Sequence, residues 1–457
     1  MMDTAAVAAA VGGFVIGASV PFLRVTTDTR GLTPGDLFVA LRGERFDGHD
    51  FVTRALASGA AAALVERTRA PALPGNLIAV DDPLPALGAL AKFWRKRFDI
   101  PVAVVAGSNG KTTTKEMIAS IFCVAVGNEA VAATPGNFNN AIGLPLALLA
   151  MRAAHRLAVF EIGMNHRGET RELAAIAQPT IGVITNAQRE HQEFMRSVDE
   201  VAAEHADVVR ALREPGTAIL NADDPRIERW RAIAKDNGSG VVTFGLDRPA
   251  DVSARYRPHA QGGALELAYA AGNARVRLRV PGRHMASNAL AAAAAAQAAG
   301  LPLTAIVSGL EAFRPLGGRL VALTTATGVG VIDDSYNANP DSVRAAIDVL
   351  AERSAPRWLV LGDMGEVGED GPAFHREIGL YARAAGIERL LTAGSLAREA
   401  AAAYGRSGEH FESVDELGST IARDAHAGVT VLVKGSRFMR MERVVAALTG
   451  AAAGGAH

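Results

Sequence analysis

One stretch of the sequence has the residue types and spacing that bind phosphate. Val102–Ala106 is apolar throughout, which predicts a buried strand. In the loop that follows, Gly107 and Gly110 allow a sharp turn and a close approach of the backbone to a ligand. Lys111 can then reach phosphate oxygens, and the Thr112 hydroxyl can ligate Mg²⁺ at the start of a helix. The predicted nucleotide-binding residues are Gly107, Ser108, Asn109, Gly110, Lys111, Thr112 and Thr113.

The loop differs from the general phosphate-loop pattern at one position. Val105 stands where that pattern has a glycine, six residues before the lysine. A glycine turn beside an ordinary surface lysine is therefore the alternative interpretation. The order of strand, loop and helix favours the phosphate site.

Polar residues also follow other predicted strands of the same region. Glu161 stands near the end of the apolar stretch 157–162, and His191 comes after the stretch 181–186. Ligands bind at the carboxyl ends of parallel strands, where a carboxylate or an imidazole can hold a metal ion. A salt-bridged glutamate and a structural histidine are the alternatives. Asn137 and Asn140 either stabilise a loop or orient a substrate.

Polar clusters elsewhere suggest further ligand contacts. In the last third of the chain they follow three predicted strands, as Asp333–Pro340, Gly362–Glu366 and Lys434–Arg437. Together these clusters favour a ligand-binding edge over well-bonded turns. In the first hundred residues or so, the polar cluster Asp28–Arg30 directly follows a strand. Spacing alone favours a turn for that cluster, with a phosphate or sugar contact as the alternative.

Composition restricts the class of protein. The chain has 457 residues, a net charge of −1 and one cysteine. The charge provides no basic surface for nucleic acid, and the single cysteine excludes an intramolecular disulfide, as is typical of the cytoplasm. The uncharged stretch Ala5–Leu23 is rich in alanine and glycine and predicts a short helix and a strand, so we expect neither a targeting signal nor a membrane span.

Strands alternate with helical patterns, which predicts an α/β protein with mostly parallel sheets. The length favours about three domains. We expect a small α/β domain at residues 1–97, a central ATP-binding domain at 98–313 and a C-terminal domain at 314–457, with a hinge around 313–319. Residues 451–457 are small and are expected to form a frayed tail.

Taken together, the motifs of the chain resemble those of the Mur ligases, and among them the members that add a dipeptide. The resemblance covers nearly the whole chain. It rests on Thr27–Arg30, Leu37–Leu41, Gly43–Phe51, Gly107–Thr112, Gly136–Asn140, Glu161–His166, Pro281–Asn288, Asp333–Pro340, Gly362–Gly368 and Leu432–Arg437.

The resemblance implies a fold, a reaction and partners. The fold has a UDP-substrate domain, a central phosphate-loop ATPase domain and a C-terminal Rossmann-like domain. The implied reaction is ATP-dependent amide formation through an acyl phosphate, in peptidoglycan precursor synthesis. Its substrates are UDP-N-acetylmuramoyl-tripeptide and D-alanyl-D-alanine, with Mg²⁺ as cofactor. A cytoplasmic monomer that binds no nucleic acid is expected, and tripeptides ending in diaminopimelate or lysine both remain open.

The resemblance also assigns roles to individual residues. Lys111 would hold ATP phosphates, while Thr112 and Glu161 would bind one Mg²⁺ and His191 a second. Arg319 would approach ATP from the C-terminal domain and Asn288 would lie on the adenine side. The residues that would contact the remaining groups are Thr27, Asp28 and Arg30 for UDP, Asn137 and Asn140 for the peptide or sugar, Asp334 for the nucleotide, and Tyr336 and Asn337 for the incoming amine.

One position departs from the family pattern. Many members carry a lysine, modified to a carbamate, in a segment that corresponds to Val201–Asp207. His205 stands at the lysine position and cannot form that group. Glu204, Asp207 or His205 itself could complete the shell of the second Mg²⁺.

Two other functions compete with dipeptide ligation. A sister ligase that adds one amino acid, or a folylpolyglutamate synthetase, would share most motifs. The members that add diaminopimelate carry Asp-Asn-Pro-Arg in the third domain, whereas the nearest string here, Asp223–Arg226, lies in the second and lacks the asparagine. A nucleotide-dependent switch that hydrolyses ATP without ligation is the alternative from another class.

Overall fold

Three large β-sheets follow one another along the chain in a computed structural model that describes residues 1–259, 262–269 and 272–450, and a two-stranded antiparallel sheet lies near the N-terminus. Each large sheet is mostly or partly parallel and is packed with helices, so the predicted three-domain α/β class is confirmed. The domain boundaries after residues 97 and 313 stay predictions, and the tail at 451–457 lies outside the described residues. Within the described ranges, no helix has the length and apolar character needed to cross a bilayer.

The first domain is built on a five-stranded sheet in the order β2-β7-β6-β5-β4, in which only β2 runs antiparallel to its neighbour. Asp3 accepts a hydrogen bond from the amide of Ala6 and so caps the first helix, which ends at a left-handed glycine, as the sequence predicts. The elements are β1 (Met2–Asp3), β2 (Phe14–Ile16), β3 (Pro21–Phe22), β4 (Arg24–Thr26), β5 (Asp36–Val39), β6 (Ala62–Glu66) and β7 (Leu77–Val80), with α1 (Thr4–Val11), α2 (Val52–Ala57) and α3 (Pro83–Arg95).

The central domain contains a nine-stranded sheet in the order β16-β15-β14-β13-β12-β11-β8-β10-β9. Its strands are β8 (Val102–Ala106), β9 (Val131–Ala133), β10 (Leu157–Glu161), β11 (Ile181–Ile184), β12 (Thr217–Asn221), β13 (Gly240–Gly245), β14 (Val252–His259), β15 (Gly262–Tyr269) and β16 (Gly272–Leu278). Its helices are α4 (Lys111–Val126), α5 (Gly143–Leu149), α6 (Glu169–Ala177), α7 (Val198–His205), α8 (Asp207–Arg210), α9 (Ile227–Asp236), α10 (Arg283–Ala298) and α11 (Leu303–Ala312).

The three strands at one edge of this sheet were not predicted from the sequence. β14, β15 and β16 pair antiparallel, with Tyr256 opposite Leu265 and Leu265 opposite Val276. Their outer residues are polar or charged, so the strands lack the continuous apolar stretches that identify the parallel core strands. Only an alternating pattern could have revealed them.

The C-terminal domain has a six-stranded sheet in the order β17-β18-β22-β19-β20-β21, parallel except for β17. Its strands are β17 (Val321–Thr324), β18 (Gly330–Asp334), β19 (Arg357–Gly362), β20 (Arg389–Ala393), β21 (Gly408–Phe411) and β22 (Thr430–Lys434). Its helices are α12 (Pro340–Ala351), α13 (Gly371–Ala384), α14 (Ala397–Tyr404), α15 (Val414–Asp424) and α16 (Glu442–Thr449). The polar ends of β18, β19 and β22 are therefore neighbours, as expected.

The alanine-rich helix α10 lies in the centre of the molecule. Residues Ala289–Ala296 are fully buried, and the helix packs against α4, which follows the glycine loop. Small side chains let the two helix backbones approach closely, so the alanine run serves packing. The same helix begins at Arg283 and presents Asn288 to the glycine loop.

Arg95, at the end of α3, joins the first domain to the central one. Its side chain is fully buried and donates to the carbonyl oxygens of Ala177 (3.0 Å), Phe98 (2.6 Å) and Gln178 (3.1 Å). Two of these carbonyls lie at the end of α6, where the helix dipole favours a cation. Burial lowers the pKa of Arg95 to about 10, so the guanidinium keeps its charge at neutral pH.

Replacing Arg95 with methionine should lower the free energy of unfolding by about 3 kcal/mol, because buried carbonyls lose a charged donor. The midpoint of urea denaturation measures the effect. The matched control is Arg54→Met on the exposed surface of α2, where a change within about 0.5 kcal/mol is expected. Equal midpoints for both variants would show that the Arg95 contacts add nothing to stability.

Candidate functional site

A cavity of about 1110 Å³ lies between the central and C-terminal domains. It is at the carboxyl ends of β8, β10 and β11, where parallel sheets bind ligands. Its lining includes most of the residues singled out in the sequence: Ser108, Asn109, Gly110, Lys111, Thr112, Thr113, Asn137, Asn140, Glu161, His191, Asn288, Arg319, Asp334, Tyr336 and Asn337. The structure thus brings together side chains from two domains.

The glycine loop connects β8 to the first turn of α4. Gly110 has a φ of 82°, and a Cβ there would overlap the side-chain amide of Asn288. Gly107 has a φ of 129°, and a Cβ there would overlap Thr185. Among the described residues no side chain caps α4, so its first-turn amides are available to an anion.

Replacing Gly110 with alanine should weaken ADP binding about tenfold or more, because the added methyl group forces Asn288 away and strains a left-handed backbone. Titration calorimetry measures the affinity. Gly127→Ala, at the other end of α4, is the control: its φ is also positive, at 87°, but a Cβ there meets nothing within 4 Å. Unchanged affinity in the Gly110 variant would exclude close contact between this loop and the nucleotide.

Lys111 lies against its own loop and beside a buried acid. Its Nζ donates to the carbonyl oxygens of Gly107 (2.6 Å) and Ser108 (3.1 Å) and lies 3.3 Å from Glu190 Oε2. The ammonium group is therefore held beside the uncapped amides of α4. A cation and several amide donors at one point form a site for a phosphate chain.

Glu161 ends β10 inside the cavity and is almost fully buried. Its Oε1 accepts a hydrogen bond from Asn139 Nδ2 at 2.7 Å, whereas its buried Oε2 has no hydrogen-bond partner among the described residues. A carboxylate oxygen left unpaired in the interior is costly unless a cation contacts it. With the buried Thr112 hydroxyl in the same cavity, these oxygens fit a Mg²⁺ ion.

Asn137, Asn139 and Asn140 follow one another closely along the chain but make different contacts. Asn139 holds Glu161 in place, and Asn140 Oδ1 accepts from the amides of Ile142 (3.1 Å) and Gly143 (2.9 Å) at the start of α5. Asn140 thus stabilises a helix start as well as lining the cavity. Asn137 also lines the cavity.

Glu190, which the sequence analysis did not select, lies at the centre of the charged groups. Its carboxylate contacts His205 Nε2 at 2.8 Å and Lys111 Nζ at 3.3 Å, and it is nearly inaccessible to solvent. Burial alone would raise the pKa of Glu190, but Lys111 and His205 outweigh it and hold that pKa at about 2. A fixed negative charge therefore stands behind the lysine.

The C-terminal domain contributes cations and a buried acid. The Arg319 guanidinium lies 4.2 Å from the ring centre of Tyr336. Asp334 contacts Lys434 Nζ at 2.5 Å, and the same ammonium donates to the carbonyl oxygen of Asn337 at 2.9 Å. Burial raises the pKa of Asp334 even though Lys434 opposes the shift. These groups complete the second wall of the cavity.

Three side-chain contacts connect the C-terminal domain to the central domain. Asn109 and Asn339 exchange amide hydrogen bonds, one of them 2.9 Å long. Arg189 forms paired hydrogen bonds with the carboxylates of Asp341 and Glu377. The third contact joins His191 Nδ1 to Glu366 Oε2 at 2.6 Å, and both residues have left-handed backbones. Two of these three contacts come from the loop after β11.

The first-domain candidates lie outside this cavity. Asp28 accepts from the amide of Arg30 at 2.8 Å and pairs with its guanidinium at 2.7 Å. Arg30 remains largely exposed, and neither these two residues nor Thr27 lines the cavity. The contacts match a turn, and the cluster does not join the other candidates. Leu84, at the start of α3, is the first-domain residue that lines the cavity.

Known protein families match three successive segments of this chain. Models of the Mur ligase family match residues 22–95 (Mur ligase family, catalytic domain), 105–296 (Mur ligase middle domain) and 318–437 (Mur ligase, glutamate ligase domain). The chain is 39% identical to the UDP-N-acetylmuramoyl-tripeptide–D-alanyl-D-alanine ligase of Escherichia coli, over 96% of both chains.

Solved structures give the same result. The crystal structure of MurF from Acinetobacter baumannii superposes with a TM-score of 0.89 at 32% identity, over 98% of this chain and 99% of that chain. The MurF ligase of Thermotoga maritima, solved in complex with ADP, superposes with a TM-score of 0.81 at 25% identity, over 93% of this chain and 97% of that one.

Proposed function

Because the chain belongs to the Mur ligase family, we propose that it joins D-alanyl-D-alanine to UDP-N-acetylmuramoyl-tripeptide at the expense of ATP. The observation that carries this proposal is one cavity that combines a phosphate loop, a buried carboxylate and cations from a second domain. The products are the UDP-linked pentapeptide, ADP and phosphate. A sister ligase or folylpolyglutamate synthetase is not favoured, since a relative that matches over nearly the full length carries the dipeptide-ligase name.

The reaction proceeds in two transfers. The terminal carboxylate of the tripeptide attacks the γ-phosphate, the bond to the β-phosphate oxygen breaks, and ADP leaves. The free amine of the dipeptide then attacks the acyl carbon, loses a proton and expels phosphate. Lys111 and the amides of α4 hold the phosphates, and Arg319 offsets charge from the C-terminal side.

Mg²⁺ would be held by Thr112 and Glu161, with His191 at a second ion, and it supplies charge neutralisation on the phosphate oxygens. Glu161 suits this role because one of its buried oxygens lacks another partner among the described residues. Asn139 keeps the carboxylate aimed into the cavity. The phosphate loop and the metal ligands then act on the same phosphate chain.

We assign the remaining residues to the substrates. Thr27, Asp28 and Arg30 contact the UDP moiety on the first domain, and Asn137 and Asn140 orient the peptide or sugar. Asn288 and Asp334 contact the nucleotide, whereas Tyr336 and Asn337 approach the incoming amine. We further propose that the chain acts as a monomer in the cytoplasm.

Closure of the C-terminal domain protects the intermediate. An acyl phosphate is hydrolysed if water reaches it before the amine does. The contacts of Asn109 and Arg189 with the C-terminal domain keep the cavity covered on that side. The same contacts bring Arg319 and Tyr336 to the phosphate loop.

Phosphate release with a panel of UDP-linked peptides and dipeptides tests the proposal. We expect release only when ATP, a UDP-linked tripeptide and D-alanyl-D-alanine are all present, with tripeptides ending in diaminopimelate and in lysine compared directly. Mass spectrometry should detect the pentapeptide product. Release that is unchanged when both co-substrates are omitted would indicate an ATP-hydrolysing switch instead.

A further inference from the structure

Lys115, one turn after Lys111 on α4, is a charged side chain with no surface exposed to solvent. Its Nζ donates to the carbonyl oxygen of Thr134 at 2.9 Å and pairs with the carboxylate of Glu116. Burial of an ammonium group is costly, and an apolar side chain of similar length would fill the same space without that cost. Packing alone therefore does not explain a lysine at this position.

Thr134 passes the contact of Lys115 on to the next strand. It directly follows β9 and is buried. Its carbonyl oxygen accepts from Lys115, while its Oγ1 accepts from the backbone amide of Glu161 at 3.0 Å. The amide of Thr134 in turn donates to the carbonyl oxygen of Val159 at 3.1 Å. One residue thus connects the lysine of α4 to the end of β10, where Glu161 lies.

The loop that leaves Thr134 returns to the same glutamate. Asn139 Nδ2 donates to Glu161 Oε1 at 2.7 Å, and the carbonyl oxygen of Asn139 accepts from the amide of Gly163 at 2.9 Å. A Cβ on Gly163 would overlap the side chain of Asn139, so the loop packs closely against the end of β10. The backbone of Glu161 is therefore held by Thr134, and its carboxylate by Asn139.

The first turn of α4 carries the other residue on the metal side of the cavity. Thr112 precedes Lys115 by three residues, so the two side chains are neighbours on the surface of α4. Both are buried. Through the Thr134 carbonyl, Lys115 thus connects the helix that carries Thr112 to the strand that carries Glu161. Contacts behind a metal ligand fix its direction and raise the affinity for the ion.

We propose that Lys115 is a positioning residue that sets the place of Glu161 relative to Thr112, and with it the affinity for Mg²⁺. The inference rests on the proposed function, in which these two residues hold the ion. Lys115 has no part in the lining of the cavity and acts through Thr134. Loss of the ammonium group leaves the buried Thr134 carbonyl without that donor, so the end of β9 and the loop to Asn139 lose their attachment to α4.

Manganese binding tests this role without relying on turnover. The full-length protein is titrated with Mn²⁺ in the presence of ADP, and free Mn²⁺ is measured by electron paramagnetic resonance. The ion that Glu161→Gln fails to bind is the ion that is followed. Lys115→Met should weaken its binding about tenfold or more.

Ser120→Ala is the matched control for a purely structural effect. Ser120 lies on the same helix, and its hydroxyl donates to the carbonyl oxygen of Gly309 at 2.7 Å, away from the cavity. This variant should lower the thermal midpoint and leave the affinity for Mn²⁺ unchanged. A residue that only stabilises the fold would behave in the same way.

Thr134→Val covers the case in which Lys115→Met does not fold. It removes the hydroxyl that accepts from Glu161 while keeping a branched side chain, so it should also weaken Mn²⁺ about tenfold or more. The inference is overturned if folded Lys115→Met binds the ion with wild-type affinity, or if Thr134→Val does so when Lys115→Met does not fold. If Glu161→Gln itself keeps wild-type affinity, the metal role in the proposed function fails, and the inference fails with it.

Discussion

Replacing Lys111 with alanine is expected to lower the rate of amide formation about a thousandfold. The ammonium group stands next to the uncapped amides of α4, where the proposed mechanism places the γ-phosphoryl group during both transfers. The loss should appear mainly in kcat, because the cation acts most strongly on the charge distribution of the transition state. Coupled phosphate-release assays at saturating substrates measure it.

A matched control separates this effect from a general loss of charge or stability. Lys235 is exposed at the end of α9 and does not line the cavity, so Lys235→Ala should keep wild-type activity. The thermal midpoint of Lys111→Ala must also be recorded, since Glu190 loses a buried partner in that variant. A folded Lys111→Ala protein with near-normal turnover would refute the role assigned to the lysine.

Replacing Arg189 with glutamine is expected to uncouple ATP cleavage from amide formation. The guanidinium is three-quarters or more buried and binds two carboxylates of the C-terminal domain, on Asp341 and Glu377. Loss of these charge-assisted hydrogen bonds weakens the closed arrangement by about 2–3 kcal/mol. Water then competes with the dipeptide for the acyl phosphate. We expect kcat/KM for the dipeptide to fall about thirtyfold or more.

The ratio of phosphate released to amide formed measures this uncoupling and should rise above the wild-type value. Arg344→Gln provides the control, because Arg344 contacts Glu377 from within the C-terminal domain and leaves the contact between domains intact. Asp341→Asn should reproduce the Arg189 phenotype, and the double variant should add little to either. If the ratio of phosphate to amide is the same in Arg189→Gln and Arg344→Gln, Arg189 does not couple the two steps through its contact between the domains.

Sequence reasoning succeeded where function depends on local order along the chain. The strand, the glycine loop and the start of α4 are consecutive, so spacing alone predicted the loop that brings Lys111 and Thr112 to the cavity. Glu161 followed from its position at the end of an apolar strand. The antiparallel strands β14, β15 and β16 were missed because exposed residues, most of them polar or charged, interrupt their apolar positions.

Sequence reasoning failed where a role depends on partners that are distant along the chain. Glu190 and Arg189 stand directly before His191, and their charges after a strand were a signal that could have been weighed. What they do depends on Lys111 and Asp341, which only the folded domains bring close. His205, which departs from the family pattern, lies against Glu190, and this contact was not predicted from the sequence.

The paired amides of Asn109 and Asn339 have a consequence for inhibition. They connect residues 230 positions apart and carry no net charge, so an uncharged amide or urea group can replace either partner. A small molecule bound between Asn109 and Asn339 would keep the central and C-terminal domains apart and expose the acyl phosphate to water. Such a compound would inhibit the enzyme without resembling ATP, so we expect it not to bind unrelated kinases.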